Sequence, residues 1–288
     1  MEADRSPGDA PETPQPEART RARNTAIFSA LTGVSRVAGL VREIVAASYY
    51  GTSGAMSAFT IAFQVPNLVR ALFADAALSA AFVPVFTELL EQRRRREALH
   101  LAGALFGLIL AVLGTLTVAF IFAAPLIMPL FTPGDEFGPA LDGLTVGLSQ
   151  VLFAIVVLLG LNGLLVGILN AYDHFTVPAL SPVVWNVVII VALVALQPLF
   201  DGRDAIYAYA IGVLAGTAVQ LAMAFPALRH VGFDPRPNVD WRSPQIRRIL
   251  VLMLPVTIGL GLINVNLLIN SLIGLLISEE APAAIDRA

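Results

Sequence analysis

The stretch ALTGVSRVAGLVREIVAAS (30–48), followed closely by AFQVPNLVRALFADAALS (62–79), decides how this chain is read. Both are apolar enough for a hydrocarbon core, yet the first holds Arg36, Arg42 and Glu43, and the second Arg70 and Asp75. An arginine at mid-bilayer costs about 2.5–3.5 kcal/mol on insertion scales. Three of them facing lipid would cost on the order of 8–10 kcal/mol. Such charges must face a hydrated cavity, pair with acids, or reach out from a helix end along their aliphatic stems. Arg36 and Glu43 share a helix face but lie about 10 Å apart along the axis, too far for an ion pair. Arg36 and Arg42 are separated by about 120° around the helix, so they line two sides of a cavity and not one stripe. Arg70 and Asp75 diverge in the same way. One reading is a structural network, with Glu43 and Asp75 bridging to arginines of neighbouring helices. The other is a water-filled cationic cavity that receives an anionic substrate. Arginine suits the second task because its planar fork binds phosphate oxygens in pairs and stays charged when partly desolvated.

The surroundings of these two stretches are those of a membrane protein. Of 288 residues, 57% are hydrophobic and only 14% charged, with a mean hydropathy of +0.76. A soluble domain carries about 25% charged residues, so a soluble enzyme is excluded. The absence of cysteine removes disulfides, thiolate zinc sites and cysteine nucleophiles. His100, His174 and His230 all lie outside the long apolar runs and offer little for a metal cluster. No Gly-rich phosphate loop or nucleophile elbow is present, and Asp173 beside His174 reads as a solvated pair in a short loop. Neither enzymatic catalysis nor nucleic-acid binding is expected.

Seven apolar stretches are long enough to cross a core of about 30 Å. They run over 25–49, 55–90, 98–130, 140–170, 177–198, 204–228 and 246–277. The second is too long for one straight span: Pro66 is expected to bend it, and AALSAAFVPVFTELL to tilt or form a separate half-helix. The third is expected to end near Pro125. Residues 1–24, polar and proline-rich, read as a disordered tail, and no small-residue cleavage site marks them as a signal peptide. Arginine placement orients the spans. EQRRRREALH (91–100) and the 229–248 link, with Arg229, Arg236, Arg242, Arg247 and Arg248, are basic, whereas YYGTSGAM, TPGDEFGPALDG and SEEAP carry no arginine. The alternation puts the N-terminus and the basic links in the cytoplasm, with NAYDHF (170–175) the one weakly marked inner link. Asn266 and Asn270, four apart in the last span beside Asn264, read as interhelical hydrogen-bonding groups. Gly163 and Gly167 read as a helix-packing pair.

Beyond composition, SRVAGLVREIVAASYYG (35–51), AFTIAFQVPNLVRALFADAALSAAFVPVF (58–86), NAYDHFTVPALSPVVWNV (170–187) and LMLPVTIGLGLINVNLLINS (252–271) resemble the MurJ/MviN family. The resemblance implies an all-α polytopic membrane protein: a six-helix amino-terminal lobe of a two-lobe exporter fold, plus a seventh helix. It divides the chain into the tail 1–24, a first lobe 25–228, a cytoplasmic connector 229–245, and 246–288 as the opening of a second lobe. It implies a flippase for lipid II, the undecaprenyl-pyrophosphate-linked peptidoglycan precursor, in the bacterial inner membrane, with lipid and cell-wall synthesis proteins as neighbours. A flippase for another polyprenyl-linked glycan and a non-transporting scaffold of cell-wall synthesis are the rival readings. The family's essential first-lobe arginines match Arg36, Arg42 and Arg70, and the resemblance adds Glu43, Asn67 and Asp75 as support for the cavity or its portal. Ser57 stands where many relatives carry aspartate. Some relatives bind sodium through an acid on the seventh helix, near Asn270, so coupling to a monovalent cation is left open and no other cofactor is expected.

Overall fold

A computed structural model describes residues 16–73, 76–132, 138–233, 237–238 and 240–275, although several helical side chains, Arg70 among them, fall outside the description. The described residues form α-helices joined by turns and short 3-10 segments, with no strand among them. Helix α1 (Pro16–Tyr50) begins inside the stretch expected to be a disordered tail. Proline with its fixed φ suits the first helical position, and the Ala, Arg and Glu that follow are strong helix formers even without an apolar face. Residues 1–15 of that tail lie outside the described residues.

The long second stretch is divided into α2 (Gly54–Phe73) and α3 (Ala76–Glu91), the separate half-helix of the sequence reading, while Pro66 stays inside α2. Helix α4 (Arg95–Ile127) runs two residues past Pro125 before tightening into a 3-10 turn at Met128–Phe131. Next come α5 (Gly138–Phe153) and α6 (Ile155–Ala171), which meet at Ala154, and then α7 (Thr176–Leu196), α8 (Tyr207–His230) and α9 (Pro244–Leu275).

Four stretches of described residues are long and apolar enough to cross a membrane: Arg95–Phe131, Gly138–Ala171, Thr176–Leu199 and Gly202–His230. The chain is a multi-pass membrane protein. The expected spans at α1, α2–α3 and α9 are not among these four. The first of them carries Arg36, Arg42 and Glu43, and the second is cut into helices of 20 and 16 residues.

Small residues set the packing. Helix α6 sits between α3 and α4, where a Cβ at Gly160 would meet Leu113 at 2.5 Å and one at Gly167 would meet Phe82 at 3.2 Å. Gly163 is buried on the same helix, in keeping with close helix packing. Gly216 of α8 likewise lies 3.0 Å, measured from a built Cβ, from the Trp185 carbonyl of α7. Phe120 stacks on Phe153 at 3.8 Å, and Phe59 on Tyr209 at 4.4 Å. In lipid such van der Waals fit, and not exclusion of water, holds helices together. Outward positions stay apolar, including Val37, Leu40 and Ile44 of α1 and Val112, Phe122 and Leu126 of α4.

The two ends of the bundle differ in charge. At one end Arg95 Nη2 donates to the Val231 carbonyl (2.7 Å), joining the start of α4 to the end of α8. Gly232, at φ +69°, lets the chain turn there, and a Cβ on it would meet Arg95 at 2.6 Å. Arg248 of α9 donates to Glu88 of α3 at 2.8 Å, and Tyr172 of the 170–175 link meets Phe86 edge-on. Arg94 grips Glu97 through two hydrogen bonds of 2.9 and 2.5 Å, which raise its pKa above the ordinary arginine value. The 229–245 link is docked at Asn238, which receives Gly107 against its backbone, donates its Nδ2 to the His100 carbonyl (2.9 Å), and accepts from the Trp241 indole (3.1 Å). A side chain on Gly107 would lie 2.5 Å from the Asn238 oxygen. At the other end Tyr50 donates to the Ala205 carbonyl at 2.8 Å, joining the end of α1 to the 3-10 turn Gly202–Ile206, where the single Arg203 stands beside Asp201 and Asp204.

Candidate functional site

Helix α1 turns one side to the protein. Ser35, Ala38, Gly39, Arg42, Val45, Ala46 and Tyr50, at spacings of three and four, are partly or fully covered, while Val37, Leu40, Val41 and Ile44 are exposed. The covered side rests on α7. Gly39 faces Asn186 at this contact, and a Cβ built on it would lie 3.8 Å from Asn186 Oδ1, an ordinary van der Waals distance. About one turn on, the Arg42 guanidinium lies over the Trp185 ring, 5.0 Å from its centroid. The ring face carries negative charge density, so the contact attracts the cation without needing a second acid.

Arg42 Nη2 donates to Glu43 Oε1, the carboxylate of the next residue. In one of the two sequence readings Glu43 bridges to an arginine on a neighbouring helix; in the structure the acid closes on its own neighbour, while α7 offers an indole and an amide at this level. Arg42 is the more covered partner, 18% exposed against 41% for Glu43, so the pair opens outward on its acidic side. Trp185 is itself fixed, its Nε1 donating to Thr217 Oγ1 (3.1 Å), which donates to the Val213 carbonyl (2.8 Å) on α8. Asn186 Nδ2 donates to the Pro182 carbonyl (2.9 Å). Arg42 Nε and Asn186 Oδ1 are buried with no hydrogen-bond partner among the described residues. Buried polar atoms of this kind also occur elsewhere among the described residues, at Thr60 and Asn162 for example.

The other expected residues fall differently. Arg36 is exposed on α1, off the side that meets α7. Asn67 is half-buried on α2. Arg70 lies on α2 with its side chain outside the described residues, and Asp75 lies outside them altogether, so the wall they were expected to form is not described. Ser57 is fully buried in the first turn of α2. The side chains of Asn264, Asn266 and Asn270 lie outside the described residues. Asp173 and His174 are exposed in their loop, as expected of a solvated pair. Among the described residues no group of three His, Cys, Asp or Glu is placed to hold a metal ion. Trp185 and Asn186 were not singled out from the sequence. The available signal was an indole in mid-helix, away from the membrane-surface belt where tryptophan usually lies.

The family model for lipid II flippase MurJ matches residues 46–288. The chain belongs to the MurJ family. A relative in Rhizobium meliloti (strain 1021), named probable lipid II flippase MurJ, is 35% identical over 244 residues, covering 82% of this chain and 45% of its own length. The lipid II flippase MurJ of Burkholderia cenocepacia is 32% identical over 264 residues, covering 90% of this chain and 51% of its own. An alignment over 90% of 288 residues must include the segments that hold Arg36, Arg42 and Arg70. The chain thus spans about half the length of the curated MurJ relatives it matches. A solved structure of lipid II flippase MurJ in an inward closed conformation shares the fold, with a TM-score of 0.73 at 22% identity over 90% of this chain and 52% of that one. The all-α polytopic fold of the sequence reading is therefore the MurJ fold.

Proposed function

We propose that this chain is the amino-terminal part of a bacterial inner-membrane flippase for lipid II. Residues 25–228 serve as the first lobe, 229–245 as its cytoplasmic connector and 246–288 as the opening of a second lobe. The observation that carries the reading is the cationic Arg42, held inside the bundle by Glu43 and the Trp185 face, in a chain that belongs to the MurJ family. A guanidinium shared between one carboxylate and an aromatic face retains free N–H donors, so it can pass them to an incoming pyrophosphate without first breaking a closed network. Arg36 and Arg70 complete the anion-binding set, with Glu43, Asn67 and Asp75 shaping the cavity or its portal. The basic end faces the cytoplasm, where the positive-inside rule puts it. Lipid II enters from that side, and alternating access exposes its headgroup to the other, while the polyprenyl tail stays in lipid. No covalent bond changes.

The test is growth of a bacterium depleted of its own flippase. The gene, taken as it stands in its genome, is expected to restore growth. Arg36→Ala, Arg42→Ala and Arg70→Ala are expected to insert at equal level and fail to do so. Wild-type growth from all three variants would remove the cationic-cavity mechanism and leave the scaffold reading.

A further inference from the structure

At the basic end, the first turns of α9 frame an open cavity of about 440 Å³ lined by Arg242, Pro244, Arg247, Arg248, Val251 and Leu252. The lining is divided along the helix. Three guanidinium groups stand at the end nearest the connector, and two aliphatic side chains follow toward the apolar part of α9. Arg248 is committed to Glu88, whereas Arg242 and Arg247 are exposed and have no acid paired with them among the described residues. Trp241 stands next to Arg242, 38% exposed, with its indole N–H tied to the Asn238 carbonyl. An indole held at the edge of a membrane helix, apolar ring outward and N–H satisfied, is the usual anchor at the headgroup level. The apolar wall continues outward, since Val251 and Leu254 are among the most exposed aliphatic side chains of α9, while Ile246 and Ile249 on its other side are fully buried.

We propose that this cavity seats the phosphate headgroup of an anionic phospholipid from the leaflet on the basic side. A phosphodiester carries the charge and oxygen geometry that guanidinium groups bind. A free phosphate would use the arginines but leave the aliphatic wall without a role, whereas a lipid lays its glycerol and first methylenes on Val251 and Leu252. Arginines clustered at the start of an apolar helix beside a charged surface attract anionic headgroups in this way. Neither Arg36 nor Arg42 is among the described residues that line it, so it stands or falls independently of the transport reading.

Trp241 makes the site measurable. In a Trp185→Phe version of the whole chain it is the only tryptophan, because Trp185 and Trp241 are the two present. The protein in vesicles is titrated with brominated phosphatidylglycerol or brominated phosphatidylcholine, and quenching of its fluorescence is followed. The expected result is a clear preference for the anionic lipid, which falls about tenfold or more in Arg242→Gln/Arg247→Gln. Val251→Glu, which puts an acid into the cavity, is expected to reduce it as well. Arg93→Gln/Arg96→Gln, which removes exposed charge elsewhere at the same end, is expected to leave it in place. Equal quenching by both lipids, or a preference that survives the Arg242/Arg247 pair, overturns the site. So does a loss of equal size in the Arg93/Arg96 control, which would mean diffuse surface charge. Abolition by millimolar inorganic phosphate in the water phase would assign the cavity to a soluble anion and overturn the lipid assignment.

Discussion

Arginines do two kinds of work in this molecule. At the basic end they bind segments far apart in sequence: Arg95 to Val231, Arg248 to Glu88. The Arg248–Glu88 pair is made at a surface where water is near, so losing one partner leaves the other hydrated, while Arg95 caps the carbonyl of a buried valine. Arg42 inside the bundle is different. Its partners are the adjacent carboxylate and an indole face, its Nε has no hydrogen bond among the described residues, and only 18% of its side chain is exposed. The first kind holds a fold together and is replaceable. The second kind is costly to maintain, and under the function proposed above its free donors are what an anionic headgroup would meet.

The sharpest attempt to break this contrast is Arg42→Ala. Two charge-assisted hydrogen bonds to a pyrophosphate, at about 1.5–3 kcal/mol each, correspond to a loss of two or more orders of magnitude in lipid II binding. Thermal stability is expected to change little, since the change also removes a desolvated charge. A variant that unfolds but still binds would reverse the assignment. Next in size is Gly107→Val, where even the first carbon would overlap the Asn238 oxygen. Forcing that contact costs about 1–3 kcal/mol, read as a fall of several degrees in Tm and as easier proteolysis of the 229–245 link. Trp185→Leu removes the ring under Arg42 and is expected to weaken lipid II binding about two- to thirtyfold, with Trp185→Phe between it and the parent. Smallest is Arg248→Gln: the pair with Glu88 is 58% and 46% exposed, so a double-mutant cycle with Glu88→Gln is expected to give about 0.2–1 kcal/mol, shrinking in high salt. A coupling several times larger would show that the basic end is more than a set of surface fasteners.

Most of the architecture was legible because apolar length and arginine placement are properties of the chain itself. The 91–100 and 229–248 links do meet at one end of the bundle, and Tyr172 brings the weakly marked 170–175 link there too. Helix ends were less legible. The first span was read as starting at 25, whereas α1 begins at Pro16; α4 ends at Ile127, near the Pro125 where it was expected to stop, and Pro66 lies inside α2. Within the site, spacing alone identified Arg42 as needing a partner but could not name it. Trp185 is more than 140 positions away, and only the packing of α1 on α7 brings it near. The Arg42–Glu43 contact was missed for a different reason. Helical periodicity says that adjacent residues diverge, but two long side chains can bend toward each other when one helix face is covered and the other is not.

The docking of Asn238 on α4 also sets the length of a leash. From Asn238 to Pro244 the chain has six peptide steps, and fully extended it reaches about 20 Å. Whatever motion α9 undergoes, its first turn stays within that radius of a fixed point on α4. A tether this short keeps the two at a high effective concentration and makes rejoining fast after any separation. A shift of α9 longer than the leash would have to pull Asn238 from its seat against Gly107, so a single amide sets the stroke.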